Sequence, residues 1–388
     1  MSCGWRRSSI MKKMLKAAAV LAAILMAFTL GACDDGSSSG SGGGGDIDGN
    51  GGGTNNNKPV DPNAPKSDYL KMEKNDFRGY YEVVGVYSSK IPSDGAIVIP
   101  DGVEVYSLLW DYDTGEQEFL ESVDKIKSIS LPAIMTSNSF GNVIAYSWVT
   151  GGFAENIDII YRGTLSQWCE HGCTEGSLPN AKSIKVDNGT TDLKTLTDLV
   201  IPDGVEKIND TAFWMLPNIK SVTIPASVKE IDRTAFGINL DDGYPEDTKI
   251  AVVNYKGTLG QWCEMDIYEE TLVPRPESIK MSDGTDLKTL TEITADDIAG
   301  AKRIGYQAFM GCSRLKSFEI PESVTEISEW AFADCSSLTS LTFKATDGWY
   351  YTKDFTGEAV DVTDAQYNAK QVQRNGYWGL SRFYRKTE

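Results

Sequence analysis

The run Cys169-Glu170-His171-Gly172-Cys173 is where thiol and imidazole stand closest together in this 388-residue chain. That spacing could hold a metal ion or make a thiolate–imidazole nucleophile pair. His171 is the one histidine, so a two-histidine metal site, an H-E-x-x-H helix and a histidine proton relay are all excluded. A second copy of the same segment carries Cys263, Met265 and Ile267 at the matching positions. The segment therefore folds without the ligands, no fourth ligand stands nearby, and neither a metal nor a Cys-His nucleophile is expected. Asp46-Ile47-Asp48-Gly49-Asn50-Gly51 opens like a calcium-binding loop, but its twelfth position is Asn57 instead of glutamate and no helical pattern flanks it. It is read as linker. Cys312 and Cys335 each follow an Ala-Phe pair by the same spacing, in a slot that holds Leu216 earlier in the chain. A buried ladder of thiols is expected there, with a disulfide as the alternative in an exported protein. No catalytic residue and no cofactor are expected.

Charge closes a further class. With 55 acidic against 37 basic residues and a formal net charge of −18, the chain is a poor partner for nucleic acid. Hydrophobic residues at 41% are enough for a sizeable core.

The elements that position these residues repeat. Ile201-Pro202-Asp203-Gly204-Val205-Glu206-Lys207-Ile208, followed by Ala212-Phe213, returns 23 residues later as IPASVKEI with Ala235-Phe236, and again as IPESVTEI from Ile320 with Ala331-Phe332. Self-similarity at this period marks a solenoid. An L-x-x-L-x-L skeleton precedes each block, as in Leu196/Leu199/Ile201, Ile219/Val222/Ile224 and Leu315/Phe318/Ile320. Its last two apolar positions share one strand face, and proline ends the strand by withholding a ladder N–H. No repeat can bury its own apolar face, so stacking must make the columns one core. A longer period of 94 relates Tyr161-Arg-Gly-Thr-Leu-Ser-Gln-Trp-Cys169 to Tyr255-Lys-Gly-Thr-Leu-Gly-Gln-Trp-Cys263, and DLKTLT at Asp192 to DLKTLT at Asp286. Thr164 with Gln167, and Thr258 with Gln261, have capping-box spacing and open short helices. Trp168 and Trp262 are expected to pack inward, although a tryptophan there could also stack on a sugar.

Between the inward residues lie those that face out, and these form the candidate ligand face. They are Ser183 with Lys185, Ser221 with Thr223, Ser317 with Glu319 and Ser340 with Thr342, with Ser128/Ser130 and Ser278/Lys280 in the same positions. Stacked strands turn them into hydroxyl columns able to bond an extended partner, or into a merely solvated face. Lys182, Lys220 and Lys316, with Lys127, form a basic row at the corner.

The first 65 residues read as an address. From Met11 a basic stretch, MKKMLK, leads to an apolar segment from Ala17 to Gly31, too short for a spanning helix. Leu30-Gly31-Ala32-Cys33 resembles the lipobox of bacterial lipoproteins, which implies a signal peptide over 1–32 and a lipid on Cys33. Cleavage there removes five basic residues and no acid, leaving a net charge of −23. The Gly/Ser/Asn-rich segment 33–65 is a flexible leash with a reach of roughly 30 Å. Degenerate repeats are expected over 66–160, regular repeats over 161–345 and a cap over 346–388, where Trp349, Tyr350, Tyr351, Phe355, Tyr367, Tyr377, Trp378, Phe383 and Tyr384 accumulate.

The repeated blocks resemble the BspA-type leucine-rich repeat; Arg314 to Cys335, RLKSFEIPESVTEISEWAFADC, follows its pattern almost throughout. The YxGTLxQWC box and the aromatic tail are similar to those of spirochaete surface lipoproteins carrying such repeats. The resemblance implies a β-dominant leucine-rich-repeat solenoid, with stacked parallel strands, short helical turns and an aromatic C-terminal cap. It further implies a non-enzymatic, lipid-anchored protein at the outer membrane or cell surface that binds an extracellular protein, adhesin-fashion. A polysaccharide-binding module and a structural envelope protein are the alternatives.

Overall fold

The computed structural model describes residues 65–387 apart from 76–78, 106–124, 134–155, 172–180, 238–249, 269–275, 352–358, 374–381 and a few single positions. Cys33, the calcium-loop look-alike and the leash lie outside the described residues, as do Phe355, Tyr377 and Trp378 of the tail.

Each repeat begins with a strand on a front face, and the strands pair in parallel, rung on rung. A first stack joins Ala96–Val98, Ser128–Leu131, Asp158–Tyr161 and Ser183–Val186. A second joins Asp198–Val200, Ser221–Ile224, Val252–Tyr255 and Ser278–Lys280. A third joins Glu292–Ile293, Ser317–Ile320 and Ser340–Phe343. The inward residues Ile129, Leu131, Val222, Ile224, Phe318 and Ile320 are fully buried, as the skeleton predicted. Where Ile-Pro ends a strand, the next three residues turn: Val205, Val228 and Val324 each donate N–H to the carbonyl of Pro202, Pro225 and Pro321. The chain then enters a two-residue strand on the rear face, Lys207–Ile208, Glu230–Ile231 and Asp266–Ile267 forming one parallel ladder. Arg303–Ile304 and Glu326–Ile327 form another. The Ala-Phe pairs close the coil, and their rings stack rung on rung, Phe213 on Phe236 at 5.4 Å and Phe309 on Phe332 at 5.5 Å.

The 94-residue period has its own architecture. Helix α1 (Leu165–His171) and helix α2 (Leu259–Cys263) are the two Thr-Leu-x-Gln-Trp-Cys boxes. Thr258 and Gln261 form the reciprocal capping box, and Thr164 and Gln167 make the same bonds. Trp168 and Trp262 are buried, and each indole N–H donates to the carbonyl of an Ala-Phe alanine, Ala212 at 2.7 Å and Ala308 at 2.8 Å. Tyr161 and Tyr255 meet those indoles edge-on at 5.4 Å. The glycine two residues after each tyrosine lets the ring fold back over the chain: a Cβ on Gly257 would stand 2.5 Å from the Tyr255 ring, and Gly163 is equally crowded by Tyr161. The DLKTLT segments interrupt the front sheet. Asp192 and Asp286 each turn back on the preceding strand, accept an N–H from it (Ile184, Ile279), and cap a 3₁₀ turn through Lys194 N–H and Lys288 N–H. The front sheet is therefore three stacks and not one.

Side chains close the ends. The Tyr69 hydroxyl accepts the N–H of Val98 and donates to its carbonyl, covering the first edge strand. At the other end helix α3 (Ala365–Val372) places Asn368 against the Leu341 carbonyl, and Gln373 just beyond it against that of Leu338. Phe383–Arg385 adds an antiparallel strand to the rear ladder and pairs with Trp349–Tyr350. Trp349 and Phe383 are buried, and among the described residues the aromatic cap comprises helix α3 and this short strand pair. Capping of this kind blunts edges that would otherwise pair with a second chain.

Candidate functional site

Register decides which outward residues share a row. In the first stack the rows are Ala96, Ser128, Asp158, Ser183 and Val98, Ser130, Ile160, Lys185. In the second they are Asp198, Ser221, Val252, Ser278 and Val200, Thr223, Asn254, Lys280. In the third, Glu292, Ser317 and Ser340 align, beside Glu319 and Thr342. The hydroxyl columns are thus interrupted by carboxylates and by valine or isoleucine, which the repeat period alone did not reveal.

Many of the hydroxyls are already engaged. Ser183 is buried, and its hydroxyl donates to Asp158 at 2.6 Å. Ser221 donates likewise to Asp198, and Ser278 to Asp286 at 2.7 Å. Lys182 reaches Asp158 at 3.3 Å, and Lys344 reaches Glu319 at 3.0 Å. Burial works against the Asp158 anion, but the Ser183 hydroxyl and the Lys182 ammonium outweigh it and hold the carboxyl below the ordinary aspartate value. The hydrogen bond from Ser221 does the same at Asp198, and that from Lys344 at Glu319. The face is thus a lattice of hydroxyl–carboxylate and amine–carboxylate pairs, charged and fixed in orientation. Lys127, Lys182, Lys220 and Lys316 occupy the same slot before their strands, but Ile157, Thr197, Ala251, Glu277 and Thr291 fill the intervening rungs. The basic row is dispersed.

Sequence reading missed a pattern that register exposes. The first and second stacks each carry an outward series from an exposed valine on the first parallel strand to a lysine on the last, where Asp192 or Asp286 pairs beside it: Val98 to Lys185, and Val200 to Lys280. Val98 is 45% and Val200 60% exposed, so each edge offers apolar surface. The valines are 102 residues apart and the lysines 95, so no constant period flags them.

On the rear face Tyr268 and Tyr306 stack at 4.7 Å. Beside them Arg303 makes a two-pronged pair with Asp266, at 2.7 and 2.9 Å, and bonds Ser328 at 2.9 Å. This pair bridges two rear ladders that share no strand pairing. Cys169 is buried, its thiol pushed up to about 12 by burial and then by Glu170, which leaves it protonated and unreactive. Cys173 and the side chain of His171 lie outside the described residues, and among the described residues no three His, Cys, Asp or Glu side chains gather as a metal site.

Parallel rungs, an inward L-x-x-L-x-L skeleton and an Ala-Phe column define the class: a leucine-rich-repeat solenoid. The BspA type leucine rich repeat matches in six copies over residues 114–240 and 285–360, just over half of the chain. The chain belongs to that family. A family built on such repeats points to protein interaction and brings no set of reacting residues. Comparison with curated proteins gives no match. Among solved structures, a leucine rich cell surface protein from Faecalibacterium prausnitzii is 16% identical, with 74% of this chain and 77% of that chain covered and a TM-score of 0.29. A leucine-rich repeat protein from Bacteroides ovatus is 15% identical, with 71% and 87% covered and a TM-score of 0.24. One from Eubacterium ventriosum is 12% identical, with 71% and 83% covered and a TM-score of 0.21.

Proposed function

We propose that the chain is an exported, lipid-anchored surface protein without enzymatic activity that binds an extracellular protein on its front strand face, adhesin-fashion. The observation that carries this reading is the duplicated valine-to-lysine series. A partner laid across the strands meets a valine, a hydroxyl, then Ile160 in the first stack or Asn254 in the second, and a lysine, so the ends and the hydroxyl of the series occur twice. Two weak contacts on one partner raise affinity through effective concentration without new contacts. The leash of 33–65 and the lipobox-like Cys33 support surface display, with the folded part held away from the lipid.

The test is binding of residues 66–388 to an array of extracellular-matrix proteins beside plant and microbial polysaccharides, at two salt concentrations. Saturable, salt-weakened binding to a protein, reduced by K185E and K280E, is the expected result. Binding only to glycans moves the site to the rear face, where the stacked Tyr268 and Tyr306 beside Asp266 favour a saccharide reading, and Y268A then becomes the decisive variant. No binding at all leaves the structural envelope role.

A further inference from the structure

Cys312 and Cys335 occupy the same slot on consecutive rungs, three residues after the stacked Phe309 and Phe332. Both are buried thiols. One carbonyl ties them together: Phe309 O accepts the Cys312 N–H at 3.1 Å and also the Cys335 S–H at 3.1 Å. The Cys335 sulfur therefore reaches across the rung gap to the main chain of the rung that carries Cys312. Gly311 N–H bonds the Ala333 carbonyl at 2.8 Å, which locks the two rungs together beside the pair. Rung spacing of about 5 Å falls within the Cα separation a disulfide spans. The earlier repeat has Leu216 in this slot, so the thiol pair is confined to the last rungs, next to the C-terminal cap.

We propose that Cys312 and Cys335 are joined as a disulfide during folding outside the cytoplasm, stapling the last two rungs under the cap. The oxidant is an external disulfide, either oxidised glutathione or a thiol–disulfide oxidoreductase. One cysteine loses its proton and its sulfur attacks the external disulfide, giving a mixed disulfide and one released external thiol. The second cysteine, deprotonated in turn, attacks the protein sulfur of that mixed disulfide. The 312–335 bond forms and the second external thiol leaves. Two electrons pass to the external disulfide, and the two protons end on the external thiols. Burial raises both thiols in the folded chain, Cys312 to about 11 despite the nearby Lys288 amine, so closure belongs to the folding chain and not to a switch in the finished one.

The experiment refolds the reduced, denatured full chain in a mixture of reduced and oxidised glutathione, blocks free thiols with iodoacetamide in denaturant, and maps tryptic peptides. It needs no ligand and no export, so its outcome is separate from that of the binding array. The expected product links residues 304–314 to 317–344 and weighs about 2 Da less than the two peptides together. Adding a reductant should then lower the guanidinium midpoint of the wild type by roughly half a molar and leave C312A/C335A unmoved. Recovery of both peptides alkylated, or a wild-type midpoint indifferent to reductant, overturns the proposal.

Discussion

Replacing Trp262 by phenylalanine separates the two jobs of this side chain. The indole is fully buried, donates to the Ala308 carbonyl at 2.8 Å and packs against Tyr255. Phenylalanine keeps a ring in place but removes the donor, leaving a carbonyl in a dry interior without its partner, at a cost of about 1–2 kcal/mol. The missing part of the bicycle leaves a small void worth about another 1–2 kcal/mol. W262F should therefore lose roughly 2–4 kcal/mol and W262A about 5. For a chain of this size the first corresponds to a fall in Tm of about 3–6 °C. Guanidinium unfolding followed by far-UV circular dichroism is the suitable assay, because tryptophan fluorescence would lose a reporter with the mutation. W168F, whose indole bond to Ala212 is 2.7 Å, should match W262F within about 0.5 kcal/mol. A W262F protein as stable as wild type would refute the reasoning, as would one as damaged as W262A.

Gly257 and Gly260 should respond in opposite directions to alanine. At 257 the new methyl meets the Tyr255 ring at 2.5 Å and should cost about 2–3 kcal/mol, whereas at 260 it meets Ile298 at an ordinary 3.6 Å inside α2 and should add about 0.5–1 kcal/mol, both read from denaturation midpoints. R303M removes the two-pronged partner of Asp266 and should cost about 2–3 kcal/mol; because Asp266 also accepts the Tyr306 N–H, R303M/D266L should regain only part of that loss, and a double-mutant cycle that shows no coupling would refute the bridge. S183A should let the Asp158 carboxyl titrate closer to the ordinary value near about 3.9 in a carbonyl NMR experiment. Because the folded value is the lower one, the wild-type contribution is present above that ordinary value and fades as pH falls through the folded one, and S183A should flatten this acid limb.

The core was legible because burial in a solenoid repeats with the sequence. Val222, Phe318 and the Ala-Phe columns were assigned from spacing alone, and the Thr-x-x-Gln boxes from their reciprocal caps. The breaks in the front sheet were not, since DLKTLT shows in the sequence only as a recurring segment until Asp192 and Asp286 are seen bonding backward to their own strands. Arg303 and Asp266 escaped for a related reason: they are 37 residues apart, on neighbouring turns with no periodic link. Tyr69, Asn368 and Gln373 act once each, at ends where nothing repeats. A tyrosine followed two residues later by glycine, present in both boxes, was a local signal of a folded-back ring that spacing arguments passed over.

At the second DLKTLT segment the front stack stops and the rear ladders separate on the same turn, so among the described residues the two halves meet through few main-chain bonds, Gly305 to Cys263 and Ile267 to Tyr306 among them. Pulled from its ends, such a rod has a place to part. Extension should come in discrete jumps, the last repeats with their cap paying out first as a block of about 100 residues, or roughly 30 nm of slack, while the rungs before it hold.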